Sequence, residues 1–322
     1  MIRLLIPSVK RIYIFFYSYK IARTTCPHKI RIKHLQALLT LKQPLLSVIR
    51  KQGGINMEKI GIIGLGNMGE AIVKALVNRG SKREPLLLAE AKKERVVYME
   101  KTYGLKCTKT LVELVQKADY IVLAIKPQDA KEVMHAISPS LNNKKILISI
   151  MAGMTTSNIL SFIGKPIRVI RIMPNICVKV GEGMMGITSN HIVTKEDRAT
   201  VQKMLSPLGH FVEVSEELMD AVTALGGSGP AFFLLFLEAM IDAGVKTGLP
   251  RDKAKTISLQ VIKGTVKMLE EEKIHPTVMR DMITSPGGTT IAGIAILEER
   301  AFKGNVIEAI ERACKRAKEL SS

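Results

Sequence analysis

The chain has 322 residues, 47% of them hydrophobic, and a net charge of +19, which allows two domains and a substantial core. Eleven Lys or Arg and no Asp or Glu fall in residues 1–56, so most of the excess charge belongs to that segment and is no argument for nucleic acid. Four cysteines without a C-x-x-C pair and six dispersed histidines exclude a disulfide framework and a zinc site, and favour a reducing cytoplasm.

Residues 1–56 read as a basic extension outside the fold. They are acid-poor, as a targeting peptide would be, but neither Ser-rich nor amphipathic, so organelle targeting is the minor reading. The apolar stretch at 12–19 is too short to cross a bilayer. Folding is expected to begin near Met57, with a dinucleotide-binding domain over 57–220 and a helical domain over 221–322.

The stretch "MEKIGIIGLGNMGEAIVKALVNRG" (57–80) opens with a β-rich run, Lys59–Ile63. Gly64, Gly66 and Gly69 follow in G-x-G-x-x-G spacing, then a helical pattern closed by Gly80. The first glycine makes the tight turn, the second lets a pyrophosphate reach the backbone, and the third lets helix and strand pack closely. Free N–H groups at the helix start would bind the phosphates. The next strand, "LLLAE" (86–90), ends in Glu90, 21 residues beyond Gly69, where an acid binds both ribose hydroxyls and repels a 2′-phosphate. That favours NADH; Lys92 and Lys93 could receive the phosphate and keep NADPH open.

Continuous apolar runs at 120–125, 145–150 and 167–172 predict strands buried on both faces, with helices near 92–103, 109–117 and 128–137 between them. The fold class is therefore α/β, a doubly wound Rossmann-type sheet with its ligand at the carboxyl ends of the strands. Loops at two such ends, "AIKPQ" (124–128) and "SIMAGM" (149–154), would cover the nicotinamide ribose and ring.

Strand signals stop near Asp220. In "GGSGPAFFLLFLEAM" (226–240), Ser228 is the expected N-cap and Pro230 lies in the first turn. The run after it is apolar almost all round, too short for a membrane span, and suited to a domain core or a subunit interface. Helices are also expected over 249–272, 275–283 and 304–320. An all-α domain this thin should bury its central helix against a partner chain. "SPGGTTIAGIAILEE" (285–299) is a tight turn opening into a helix, and unpaired N–H groups at Gly287, Gly288 and Thr289 make an anion site suited to a carboxylate. The Ser285 and Thr290 hydroxyls flank it.

"AIKP" (124–127), "RIMPN" (171–175), "GGSGPAF" (226–232), "AGVKTGLPRDKA" (243–254) and "MRDMITSPGGTTIAGIAILE" (279–298) together resemble the pyrroline-5-carboxylate reductase family, the last enzymes of proline biosynthesis. The likeness runs in order from Met57 to about Glu319. It implies a dinucleotide-binding domain followed by an all-α dimerisation domain that interlocks two subunits, with dimers that build larger rings. It implies reduction of Δ1-pyrroline-5-carboxylate to L-proline with NAD(P)H. Ser285, Gly287, Gly288 and Thr289 would then hold the substrate carboxylate, Thr290 would orient the ring nitrogen, and Glu216 would touch the product. Gly64, Gly66, Asn67, Met68, Gly69, Glu90, Ala124, Lys126, Pro127, Met151, Ala152, Gly153 and Asn175 would line the cofactor. Ala91 stands where many NADPH-using relatives carry an Arg, and Ile176-Cys177 where the family commonly has Thr-Pro. Two other readings share this plan. A β-hydroxyacid dehydrogenase would need a Lys on the helix that here reads Ala231-Phe232-Phe233-Leu234-Leu235, and a non-catalytic dinucleotide sensor would not need the Ser285–Thr290 turn.

Overall fold

The computed structural model describes residues 58–78 and 86–321; the basic extension and Gly80 lie outside the described residues. Seven strands form one sheet: β1 (Ile60–Ile63), β2 (Leu86–Ala89), β3 (Tyr120–Leu123), β4 (Ile146–Ser149), β5 (Arg168–Met173), β6 (Gly183–Ser189) and β7 (Gly209–Glu213), in the order β2-β1-β3-β4-β5-β6-β7. The first five are parallel, paired in register from Ile60↔Leu86 to Ile146↔Arg168. All four residues of β1, β3 and β4 are buried, as expected of strands covered on both faces. The sequence reading stopped at five strands. β6 turns back antiparallel to β5, and β7 pairs parallel with β6.

Helices cover both faces. On one side α1 (Asn67–Asn78), α2 (Lys93–Tyr103) and α6 (Lys195–Leu205) bring Ile72, Val73, Met99, Val201 and Leu205 onto Ile60, Ile62, Val122 and Ile148. On the other, α3 (Leu111–Lys117), α4 (Ala130–Ile137) and α5 (Thr156–Ile163) bring Leu114, Met134, Ile137 and Ile159 onto Ile63, Ile121, Leu123 and Leu147. Each such fully buried aliphatic side chain contributes about 1.5–3 kcal/mol. Thr110, Thr155 and Thr194 start α3, α5 and α6, and each side chain accepts a backbone N–H from the first turn.

The helical region starts earlier than the sequence suggests. One helix runs unbroken over Glu216–Lys246 and crosses the expected 220/221 domain boundary. It comprises a short 3-10 turn, α7 (Met219–Val222), a π segment (Thr223–Ser228) and α8 (Gly229–Lys246). Ser228 is therefore not an N-cap: its backbone is helical (φ −88, ψ −26) and its side chain caps nothing. The misreading has a physical source. Pro230 has no N–H to give the Gly226 carbonyl one turn back. Within this helix the ladder loosens into the π segment, and the Asn175 side-chain amide donates to the Gly226 carbonyl at 3.0 Å. A proline that marks a helix start in sequence is here carried through with outside help. After it come α9 (Arg251–Glu272), α10 (Pro276–Met282), α11 (Thr289–Glu299) and α12 (Phe302–Ser321). Helix α8 packs on α9, α11 on α12, and α12 returns to α7 and the π segment.

Continuity also overturns the length argument against a membrane span. The Glu216–Lys246 helix has 31 residues and is long and apolar enough to cross a bilayer by length and composition. Within one chain it is poorly covered: consecutive residues Phe233, Leu234, Leu235 and Phe236 are 44%, 59%, 69% and 39% exposed. Four in a row circle the helix, so whatever covers α8 must approach from more than one side.

Candidate active site

The three glycines of the first βα turn do three different things. Gly64 has φ +90, and a Cβ there would lie 2.6 Å from the Ala124 carbonyl oxygen. Gly69 is packed so closely that its Cβ would meet the Gly64 carbonyl oxygen at 2.1 Å. Gly66 is exposed and faces open space within 4 Å. Turn, close packing and ligand approach are thus separated along six residues, with the first-turn N–H groups at Asn67 and Met68 lacking intrahelical acceptors. This geometry fits a dinucleotide pyrophosphate.

Glu90 stands at the end of β2 as expected, and both its oxygens are engaged. Oε2 accepts the Leu65 N–H at 2.7 Å and Oε1 the Lys92 N–H at 3.0 Å. The carboxylate is fixed beside the glycine turn, with lone pairs left for a ribose. Lys92 and Lys93 are exposed next to it. Ala124 extends β3, its N–H donating to the Ile63 carbonyl at 2.8 Å, and Lys126 and Pro127 follow on an exposed 3-10 turn. The Met151 side chain is buried in the core, so the rim of its loop is formed by exposed Ala152 and by Gly153 at φ +69.

Two of the residues expected to line the site also make bonds within the protein. Asn175, expected beside the cofactor, is buried; its oxygen accepts the Cys177 and Met184 N–H groups while its amide serves Gly226. Glu216, expected to touch the product, pairs with Arg171 (Nη1–Oε1 2.6 Å) and accepts from the Thr156 hydroxyl at 2.7 Å through Oε2. It welds the first residues of the helical region to β5 and to the start of α5. Sequence reasoning missed Arg171, although a charge inside the buried run "IRVIRI" was the signal. Its side chain is 2% exposed, and a desolvated guanidinium requires a carboxylate partner.

The second candidate element is the turn before α11. Gly287 has φ +67, and Gly288, the N-cap, has no side chain with which to cap the helix. Like α2, α4 and α9, and unlike α3, α5 and α6, α11 has no side-chain cap, so its first-turn N–H groups at Thr289 and Thr290 lack an acceptor within the helix. The Gly288 N–H, expected to be unpaired, is taken inside the turn. Ser285 and Gly288 are pressed together: the Gly288 N–H donates to the Ser285 carbonyl at 3.2 Å, and a Cβ on Gly288 would lie 2.4 Å from Ser285 Oγ. Ser285 and Thr289 are exposed, and Thr290 is half-buried.

Sheet, glycine turn and helical region define an NAD(P)-dependent oxidoreductase with a separate helical pairing region. Comparison with known proteins agrees. Residues 216–320 match the model described as pyrroline-5-carboxylate reductase dimerisation, and residues 59–153 the model described as NADP oxidoreductase, coenzyme F420-dependent. Pyrroline-5-carboxylate reductases of Synechocystis and Aquifex aeolicus are 39% and 37% identical, over 81% of this chain and 98% and 97% of their own lengths. Solved structures of the enzymes from Plasmodium falciparum, with NADP bound, and Coxiella burnetii superpose with TM-scores of 0.75 and 0.78 at 36% and 32% identity. They cover 84% and 83% of this chain and all of theirs. The chain belongs to the pyrroline-5-carboxylate reductase family.

Proposed function

We propose that this protein reduces Δ1-pyrroline-5-carboxylate to L-proline with NAD(P)H, the final step of proline biosynthesis, and that the Ser285–Thr290 turn binds the substrate. The observation that carries this reading is the glycine-capped entrance of α11, whose bare N–H groups suit a carboxylate. Ser285, Gly287, Gly288 and Thr289 hold that carboxylate, and the Thr290 hydroxyl orients the ring nitrogen. When bound, the reduced nicotinamide supplies the hydride to ring carbon 5. The chain's own task is alignment at near contact and exclusion of water. A β-hydroxyacid substrate fits less well, because α8 offers Ala231 to Leu235 where an acid–base Lys would be needed.

Gly64, Gly66, Asn67, Met68 and Gly69 form the pyrophosphate cradle, and Ala124, Lys126, Pro127 and the Met151–Gly153 loop its nicotinamide side. NADH is the preferred donor in this reading, because Glu90 is pinned by two N–H groups and cannot swing away from a 2′-phosphate. Glu90→Gln keeps an acceptor for Leu65 while removing the charge. It should raise the NADPH-to-NADH ratio of kcat/KM about tenfold, a 1.4 kcal/mol change; an unchanged ratio would leave the choice to Lys92 and Lys93.

Residues 216–320 pair two copies into a homodimer, which can assemble further into rings. A second copy suits α8 better than lipid, since Glu238 and Asp242 interrupt its apolar surface. The enzyme works in the cytoplasm, with neither membrane nor nucleic acid as partner. The test is a spectrophotometric assay. NADH or NADPH should be consumed with the cyclic imine and not with 3-hydroxyacids. Thr290→Ala should lower turnover about 10- to 100-fold, 1.4–2.7 kcal/mol of transition-state stabilisation. Wild-type kinetics in that variant would remove Thr290 from the mechanism.

A further inference from the structure

Between Gly64 and Gly66 lies Leu65, a loop residue whose N–H and C=O are both taken by side chains from elsewhere. Glu90, at the end of β2, accepts the N–H at 2.7 Å. Arg95, in the first turn of α2, reaches back and gives Nε (3.0 Å) and Nη2 to the carbonyl. The same guanidinium pairs through Nη2 with Glu70 Oε2 of α1 at 2.7 Å and lies over the Tyr98 ring, 4.7 Å from its centre. Tyr98 and Tyr103 both donate to Glu70 Oε1, at 2.8 and 3.0 Å. Burial works to raise the Glu70 carboxyl, but hydrogen bonds from Arg95, Tyr98 and Tyr103 and the charge of Arg95 outweigh it and hold it below its ordinary value.

We propose that Arg95, braced by Glu70, is a positioning residue for the dinucleotide. With Glu90 on the opposite side of Leu65, it clamps the glycine turn in its binding shape before the cofactor arrives. The inference rests on the dinucleotide reading above and deepens it. Glycine-flanked backbone is free to wander, and ordering it on binding would weaken affinity. A side-chain clamp moves that ordering into the folding of the protein. It also removes the Leu65 N–H from the set of phosphate donors and leaves the start of α1 to do that work.

The test is Arg95→Met, which keeps bulk and removes the fork. Direct NADH-fluorescence titration should show Kd raised about tenfold, with the NADH KM rising in parallel, because the lost ordering falls on binding. At saturating NADH, kcat should stay within about twofold and the imino-acid KM should not move, since no contact to the reacting atoms is removed. In the ligand-free protein, amide exchange over residues 64–67 should quicken about tenfold or more as the loop is released. Arg95→Lys should not restore either property, because an ammonium cannot supply the guanidinium fork to the Leu65 carbonyl. If Arg95→Met folds poorly, Glu70→Gln should weaken NADH binding about threefold in the same direction, by loosening the brace. A lower melting temperature with unchanged Kd and unchanged loop exchange would reduce Arg95 to a fastener between α1 and α2 and overturn the proposal. Failure of the wild-type protein to bind either dinucleotide would instead overturn the functional reading. Unaltered loop exchange in Arg95→Met would sink the clamp whichever way that titration came out.

Discussion

Gly69→Ala should abolish useful dinucleotide binding, raising Kd at least about 100-fold (2.7 kcal/mol), and should also destabilise the fold by about 1–3 kcal/mol as overpacking does. The added Cβ would sit 2.1 Å from the Gly64 carbonyl oxygen. That oxygen belongs to backbone which cannot retreat freely, because Gly64 is itself at φ +90 and against the Ala124 carbonyl. Helix α1 must move away from β1, and the cradle opens. Gly66→Ala is the informative contrast. Its Cβ would meet no protein atom within 4 Å, so stability should be unchanged while affinity falls. Equal melting temperatures with a raised Kd would mark the space before Gly66 as the pyrophosphate's. Wild-type affinity in both variants would contradict this assignment of the loop.

Leu235→Glu should yield a folded, monomeric and inactive protein. In a single chain Leu235 is 69% exposed, so the charge disturbs nothing within it. In the proposed pairing through α8 the same position is covered, where an unpaired carboxylate costs several kcal/mol and the lost leucine burial about 1.5–3 kcal/mol more. Activity should fall with assembly, because Val278, Met282, Ile283, Ile291 and Ile296, on and beside α10 and α11 and flanking the proposed substrate turn, are exposed in the single chain, and a second copy covering them would fix that turn. Sedimentation and turnover measured on the same sample check both halves. A Leu235→Glu protein that remains oligomeric and active would mean that α8 does not form the pairing surface.

Much of the sheet is legible in the sequence. Buried parallel strands announce themselves as short apolar runs, and the glycine spacing specifies a turn that nothing but backbone geometry demands. β6 and β7 were not legible. "GMMGITS" and "GHFVE" mix glycine with polar residues, and β7 is largely exposed, so neither apolar runs nor clean alternation mark them. Ser228-Gly229-Pro230 carries the local chemistry of a helix start, and only the distant Asn175 amide lets the helix run through it. Glu216 and Arg171 lie 45 residues apart, and no local pattern pairs them. The turn before α11 is the opposite case: Gly287, Gly288 and the two threonines declare an uncapped helix entrance in four letters, since the missing side-chain cap is itself the feature.

The central claim is that the turn before α11 grips a small carboxylate and lays its C=N bond against the reduced nicotinamide. A crystal structure of the oligomer with NADH and L-proline tests it most directly. The proline carboxylate should accept from the Thr289 and Thr290 N–H groups, with ring carbon 5 about 3–3.5 Å from the hydride-bearing carbon. A carboxylate bound elsewhere, or a turn out of reach of the nicotinamide in every subunit pairing, would contradict the account.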